Sequence, residues 1–225
     1  MIPRRNRTAA TVAGNPGGGA AGTAGVGFGT VRPVPTRPPP YLPCRHYARV
    51  LTPAQCRRAV ELGEGVLEGR GDLHGGAAPS SVRDSAVGWI GRTDATEWLF
   101  ERLAAVVERA NRHYRLDLDG FEEDLQYTSY DRAGAHYDWH QDGLDGEVGR
   151  RKLSVVVQLS EPTDYRGGDL ELFGEAGEVG PAAALSRRRR GSALVFPAFE
   201  FHRVTPVRAG VRRSLVAWIG GPPFR

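Results

Sequence analysis

Hydrophobic positions along the chain change period near Gly120. Before that point they recur at helical spacing. Thr52, Pro53 and Gln55 place a hydroxyl at an N-cap, a proline at N1 and an amide at N3, the makings of a capping box. Cys56, Ala59, Val60, Gly63, Val66 and Leu67 follow as one stripe, which predicts a helix with one buried face. A second helix is expected to start near Asp94, with Glu97 three residues on. Leu99, Leu103, Val106, Val107 and Ala110 form its buried face, and it fades by His113. Extended runs are expected at 46–51 and 85–90. Between the first helix and the second run, 69–81 is rich in Gly, Ser, Asp and Pro, within a connection that spans 69–84. It reads as a loop, long enough to act as a lid.

After Gly120 short runs of strand character follow at close spacing: 123–131, 136–142, 152–160, 169–173, 192–197, 201–207 and 212–219. Gly, Pro and Asp turns separate them, the pattern of an antiparallel sandwich or barrel. Two helices ahead of seven or eight strands predict an α+β, mainly β fold: a jelly roll (double-stranded β-helix) with N-terminal helices packed on one face. No stretch approaches the roughly 18 apolar residues of a membrane span.

Charge redraws the domain plan. The 225 residues carry a formal net charge of +4 and a pI near 9.4, which taken alone hints at a polyanionic partner. The surplus is not evenly spread. No acid precedes Glu61, and Arg4, Arg5, Arg7, Arg32 and Arg37 all lie in residues 1–42, which are also rich in Gly, Ala and Pro. That segment buries too little apolar surface to offset its ordering entropy and reads as a disordered tail, polyproline-like near Pro33–Pro40. Ala9–Ala13 is too short and too weakly apolar for the core of a twin-arginine signal. The body, 43–225, is close to neutral and lacks the basic stripe that phosphate backbones require, so nucleic acid is not expected as a partner. Arg187–Arg190 reads as a solvated loop. Cys44 and Cys56 cannot make a disulfide framework and lack partners at zinc-site spacing, so a reducing, cytoplasmic compartment and inert thiols are expected.

The chemistry concentrates in Tyr137–Asp142. His140 and Asp142 stand two apart, on one face if the run is a strand. His136 shares that face nominally but lies about 13 Å further along, too far for the same ion. His202 is the third candidate. Two histidines and a carboxylate form the facial triad of non-haem Fe(II) sites, with open positions for co-substrate and oxygen. His-x-Asp alone carries little weight, but three further features support it. Arg212, Ser214, Val216 and Trp218 alternate onto one strand face, and an inward arginine calls for a carboxylate. A Thr-Pro turn and Gly210 return the chain from His202 to Arg212, and Tyr130 stands ten residues before His140. Arg213 competes with Arg212 as the anchor, but alternation turns it to the opposite face.

Together these pieces, with Lys152–Ser160, Tyr165–Phe173 and Gly191–Pro197, resemble the 2-oxoglutarate- and Fe(II)-dependent dioxygenases, specifically the prolyl 4-hydroxylase-type catalytic domain. The resemblance covers about residues 121–220, the expected jelly-roll core. It implies that His140, Asp142 and His202 ligate Fe(II), that Arg212 binds the distal carboxylate of 2-oxoglutarate, and that Tyr130 and Trp218 line the co-substrate pocket. Gln158 stands where some relatives carry a tyrosine for that carboxylate. Trp139, Asp138 and Gln126 are candidates for the substrate mouth. The implied reaction couples 2-oxoglutarate and O2 to hydroxylation of an unactivated C–H bond, with release of succinate and CO2 and with ascorbate as a supporting reductant. The expected substrate is an amino-acid residue, in a peptide, free or carrier-bound. Retention of Asp142 favours hydroxylation over the halogenation that a small residue there permits. Two other readings are a nucleic-acid or small-metabolite oxygenase of the same superfamily and a non-catalytic metal-binding interaction module. The nucleic-acid relatives tend to carry a second arginine where Trp218 stands.

Overall fold

The computed structural model describes residues 41–71, 82–144, 146–173 and 187–223, without the side chains of 68–71 and 147. The elements run in the order β1 (Arg45–Tyr47), α1 (Pro53–Glu64), β2 (Leu67–Gly71), β3 (Arg83–Ile90), α2 (Glu97–Tyr114), β4 (Gly120–Phe121), β5 (Leu125–Tyr130), β6 (His136–His140), a 3-10 turn (Gly146–Val148), β7 (Arg151–Gln158), β8 (Tyr165–Gly167), β9 (Leu170–Leu172), β10 (Ala193–Pro197), β11 (His202–Val204), β12 (Val207–Gly210) and β13 (Arg212–Gly220). The expected tail lies outside these residues, apart from the exposed Tyr41 and Leu42.

The strands pair antiparallel in the order β1-β10-β7-β13-β5-β3-β6-β11-β9, with β8 and β12 as a separate pair. β3 is the hinge of this curled sheet. Its residues Ala86–Ile90 pair with β5, while Arg83 and Asp84 pair with β6. One chain segment therefore passes from the larger half of the jelly roll to the smaller, and the interior lies between them.

Period-two alternation decides which side chains face the helices and which face the interior. On β13, Leu215, Ala217 and Ile219 join the core under the helices, as do Leu153, Val155 and Val157 of β7 and Leu125 and Tyr127 of β5. Leu99, Phe100, Leu103, Val106, Val107 and Ala110 of α2 complete that core. α1 begins with the expected capping box, Gln55 N–H donating to Thr52 Oγ1 and Thr52 N–H to Gln55 Oε1. It approaches β5 so closely that a Cβ on Gly63 would stand 2.2 Å from Tyr127 Cγ. The glycine is a condition of that packing.

Several expectations shift. α2 starts at Glu97, not near Asp94: Thr93–Thr96 close a turn first, and the Thr96 hydroxyl donates back to Gly91 O. The run at 46–51 keeps strand character only to Tyr47. After the positive φ of Arg49, Val50 and Leu51 donate to Gly191 O. The run at 201–207 breaks after Val204, because Pro206 has no N–H for a ladder. β2, β4, β8 and β12 lie outside the expected runs, β12 in the stretch read as the turn from His202 to Arg212. Residues 69–71 and 83–84 of the expected loop are strand, the end of β2 and the start of β3, and residues 72–81 lie outside the described residues. No described helix is long and apolar enough to cross a membrane.

Candidate metal centre and anion pocket

The inner faces of β3, β5, β6, β11 and β13 enclose one cavity, lined among others by Tyr130, His140, Asp142, His202, Arg212 and Trp218. Apolar contacts from Val156, Leu170, Val204 and Val216 form much of its wall.

β6 reaches this cavity through a bulge. His202 pairs with His140, yet Val204 pairs with Tyr137, so three steps on β6 answer two on β11. The extra residue breaks strict alternation. It brings Tyr137 and His140 to the same side, where their rings stack at 3.4 Å between centroids. The nominal face that groups His136 with His140 is therefore lost. His136 Nδ1 meets Gly134 O at 2.8 Å instead, and His136 does not line the cavity. Asp142 also differs in setting. It lies two residues beyond the end of β6 rather than within a strand, its N–H donating to Ala198 O.

The three candidate ligands converge. His140 Nε2 stands 3.5 Å from Asp142 Oδ1 and His202 Nε2 stands 3.4 Å from Asp142 Oδ2. Among the described residues this is the group whose donor atoms all lie within 4.8 Å, close enough to hold a metal ion. His140 Nδ1 faces Asp138 O at 2.7 Å and His202 Nδ1 faces Glu200 O at 2.9 Å. A carbonyl only accepts, so each Nδ1 carries the proton and each Nε2 keeps its lone pair for a metal. Ser154 Oγ donates to Asp142 Oδ2 at 2.6 Å, and Arg151 Nη1 donates to Asp142 O at 3.0 Å. Burial alone would raise the Asp142 carboxyl, but His202, His140 and Ser154 hold it well below the usual carboxylate range. Burial pushes His202 below the ordinary imidazole value, against the pull of Asp142. An ionised carboxylate and a neutral imidazole are the forms that ligate.

Arg212 is 1% exposed. Its Nη1 donates to Ser214 Oγ at 3.3 Å and its Nη2 to Gln158 Oε1 at 3.2 Å, both neutral acceptors. The guanidinium carbon lies 5.1 Å from the centre of the Tyr130 ring. Arg212 Nε is buried without a partner, as is Trp218 Nε1. Among the described residues no carboxylate pairs with Arg212. A buried guanidinium with only neutral neighbours is costly unless an anion completes it. Gly168, at φ +64°, lets the chain pass behind it; a Cβ there would stand 3.0 Å from Arg212 Cδ. Arg213 faces the other way, as alternation predicts, with its Nε donating to Glu64 Oε1 at 2.9 Å.

The remaining candidates divide. Gln126 lines the cavity and accepts from Arg83 Nη2 at 2.8 Å. Trp139 and Asp138 do not line it. Trp139 packs edge-on against Phe173 with the Arg203 guanidinium 4.7 Å from its ring centre, and Asp138 Oδ1 accepts from Trp139 N–H. Sequence reasoning passed over Arg83, Thr128 and Tyr137 in the lining, and Ser154 behind Asp142. Ser154 left a signal, a lone hydroxyl within the apolar run Leu153–Val157. Arg83 and Ser85 left a weaker one, two polar residues on alternate positions of a strand. The arginine run is only partly solvated. Arg188 pairs with Asp169 and Arg190 with Glu161, since the chain there turns back onto β8.

Residues 125–220 match the family model for the 2OG-Fe(II) oxygenase superfamily. A PKHD-type hydroxylase of Synechococcus sp. (strain CC9902) is 34% identical over 93 residues, 40% of this chain and 39% of that protein. A PKHD-type hydroxylase of Caulobacter sp. (strain K31) is 37% identical over 79 residues, 35% and 33% of the two chains. The chain thus matches well under half the length of these curated relatives. Among solved structures, a Pseudomonas putida prolyl-4-hydroxylase superposes with a TM-score of 0.56 at 24% identity, over 80% of this chain and 92% of that one. A Trichoplax adhaerens prolyl hydroxylase in complex with a hypoxia inducible factor peptide gives 0.60 at 19% identity, over 79% and 83%. Both are likenesses of fold.

Proposed function

We propose, from the match of residues 125–220 to the family model for the 2OG-Fe(II) oxygenase superfamily, that the protein is an Fe(II)- and 2-oxoglutarate-dependent dioxygenase. It hydroxylates an unactivated C–H bond of an amino-acid residue and releases succinate and CO2. The observation that carries this reading is the pairing of two features across one cavity. Three metal-ligand atoms converge at one end, and Arg212, buried with only neutral partners, waits for a carboxylate at the other.

The residues fit the groups this chemistry needs. Two imidazoles with free Nε2 atoms and one ionised carboxylate suit Fe(II) and leave positions open. His140, Asp142 and His202 hold the ion, and Ser154 fixes the angle of the Asp142 carboxylate. Fe(II) bound there supplies activation of dioxygen, with 2-oxoglutarate as the source of two electrons. Arg212 binds the distal carboxylate and thereby orients the co-substrate along the cavity. Tyr130 supports the guanidinium from below, while Gln158 and Ser214 hold its terminal nitrogens in place. The apolar wall keeps water from the reacting centre. Gln126 and Trp218 Nε1–H are the polar groups offered to the prime substrate; Trp139 and Asp138 stand outside the cavity and serve at most its rim.

Peptide substrates are supported by the structural likeness to the Trichoplax prolyl hydroxylase, which holds a peptide fragment. The test incubates the full-length protein with Fe(II), 2-oxoglutarate, O2 and a panel of proline-containing peptides and free amino acids. Succinate release matched by one added oxygen on a panel member is expected. Tight iron binding with no succinate from any member would instead support a metal-binding interaction module.

A further inference from the structure

β8 and β12 stand apart from the main sheet as a two-stranded ribbon. Beside them lies a second pocket of about 650 Å³, lined by Tyr165, Arg166, Asp169, Arg188 and Arg208 among others. That volume is in the range of small-molecule sites. Its floor is built. Arg188 Nη1 meets Asp169 Oδ1 at 2.6 Å, Nη2 donates to Tyr165 O at 3.2 Å, and its guanidinium carbon lies 4.4 Å from the centre of the Tyr165 ring. The charge of Arg188 is thereby matched.

Arg166 and Arg208 are different. They belong to adjacent strands, where Ala209 pairs with Arg166 and Val207 with Gly167. Both are exposed to the pocket, and neither has an acidic partner among the described residues. Arg208 lies in the register shift between Val207 and Ala209, next to the residue that faces Arg166, and a two-stranded ribbon has little stability of its own. An ordinary surface would place an acid between them. Here a concavity stands in that position, with two unmatched positive charges on its wall.

We infer that this pocket binds a small phosphoryl-bearing anion, held between Arg166 and Arg208 above the Arg188–Tyr165 floor. A phosphoryl group brings close to two negative charges and three acceptor oxygens on one centre, enough for two guanidiniums at once. A monocarboxylate neutralises only one. The site is distinct from the cavity that holds Arg212. No residue that lines the one lines the other.

The test titrates metal-free, full-length protein with inorganic pyrophosphate by calorimetry, and follows the melting temperature in parallel, since a ligand of the folded state raises it. Saturable one-to-one binding is expected. The double variant Arg166→Gln, Arg208→Gln should bind about tenfold more weakly or worse and lose the thermal shift. Arg212→Gln should bind pyrophosphate as the parent does. Absence of saturable binding, or equal affinity in the double variant, overturns the inference. So does loss of binding on Arg212→Gln, which would place the anion in the other cavity.

Discussion

Ser154 donates a 2.6 Å hydrogen bond to Asp142 Oδ2 from the centre of β7, a strand whose neighbouring residues are buried and apolar. It is a buried hydroxyl with one task, to hold a carboxylate that two imidazoles must share. Outer partners of this kind change metal affinity by about 10- to 100-fold when removed. Ser154→Ala is expected to weaken Fe(II) or Mn(II) binding within that range while leaving the melting temperature of the metal-free protein close to the parent's. Ser154→Thr should recover part of the loss. Equal metal affinity in the alanine variant would show that the backbone contacts of Asp142 with Ala198 and Arg151 orient it without the hydroxyl.

Adjacent arginines make a sharper comparison, because β13 turns them to opposite faces. Arg212 lines the cavity, and Arg213 pairs with Glu64 beneath the helices. Hydrogen bonds to a charged group contribute about 1.5–3 kcal/mol. Arg212→Gln should therefore raise the 2-oxoglutarate concentration needed for half-maximal succinate release by at least about tenfold. Arg213→Gln should leave that concentration unchanged and lower the melting point slightly. Steady-state kinetics against 2-oxoglutarate, paired with thermal melts, reads both; the reverse ranking would move the anchor to Arg213.

The two arginines also show what the sequence makes legible. The face shared by Arg212, Ser214, Val216 and Trp218 follows from strand alternation alone, and the structure keeps it. His140 and Asp142 were paired for a reason that holds only in outcome: they meet at one point, but through a bulge and a strand end rather than a common strand face. Arg83 and Tyr137 leave no such local signal, because their place depends on the register between β3 and β6, which pairs Asp84 with His136 and Arg83 with Tyr137 across more than 50 residues of sequence. Helix α1 was legible to its capping box, since every participant is within four residues. The start of α2 was not, because Thr96 spends its hydroxyl on Gly91 O in place of a helix N–H.

Close approach of α1 to the sheet gives a packing prediction. A Cβ at position 63 would stand 2.2, 2.3 and 2.6 Å from three atoms of the Tyr127 ring. Tyr127 is fully buried, and its hydroxyl is committed to Glu64 at 2.7 Å, so the ring has nowhere to go. Overpacking of this kind costs about 1–3 kcal/mol. Gly63→Ala, which ordinarily favours a helix, should here destabilise the protein in urea unfolding. Combining it with Tyr127→Leu should recover much of the loss, whereas additive losses would point to a backbone effect at Gly63 alone.

Glu64 closes the same junction and supplies a pH dependence. Burial would raise its carboxyl, but the hydrogen bonds from Tyr127 and Arg213 outweigh it and hold the group below the ordinary glutamate value. A carboxyl with a depressed pKa in the folded state releases its proton more readily there than in the unfolded chain. Its stabilisation is therefore fully present above the unfolded value of about 4.3 and fades as pH falls through the folded value. The side chain is 41% exposed, so solvent screens the pair and the effect is modest. Glu64→Gln removes the titrating group and retains a hydrogen-bonding side chain. The stability difference between parent and variant, read by urea unfolding at a series of pH values, should be constant near neutrality. It should shrink toward zero as the pH drops below about 4. A difference that persists unchanged into acid would assign the role of Glu64 to shape and hydrogen bonding rather than charge.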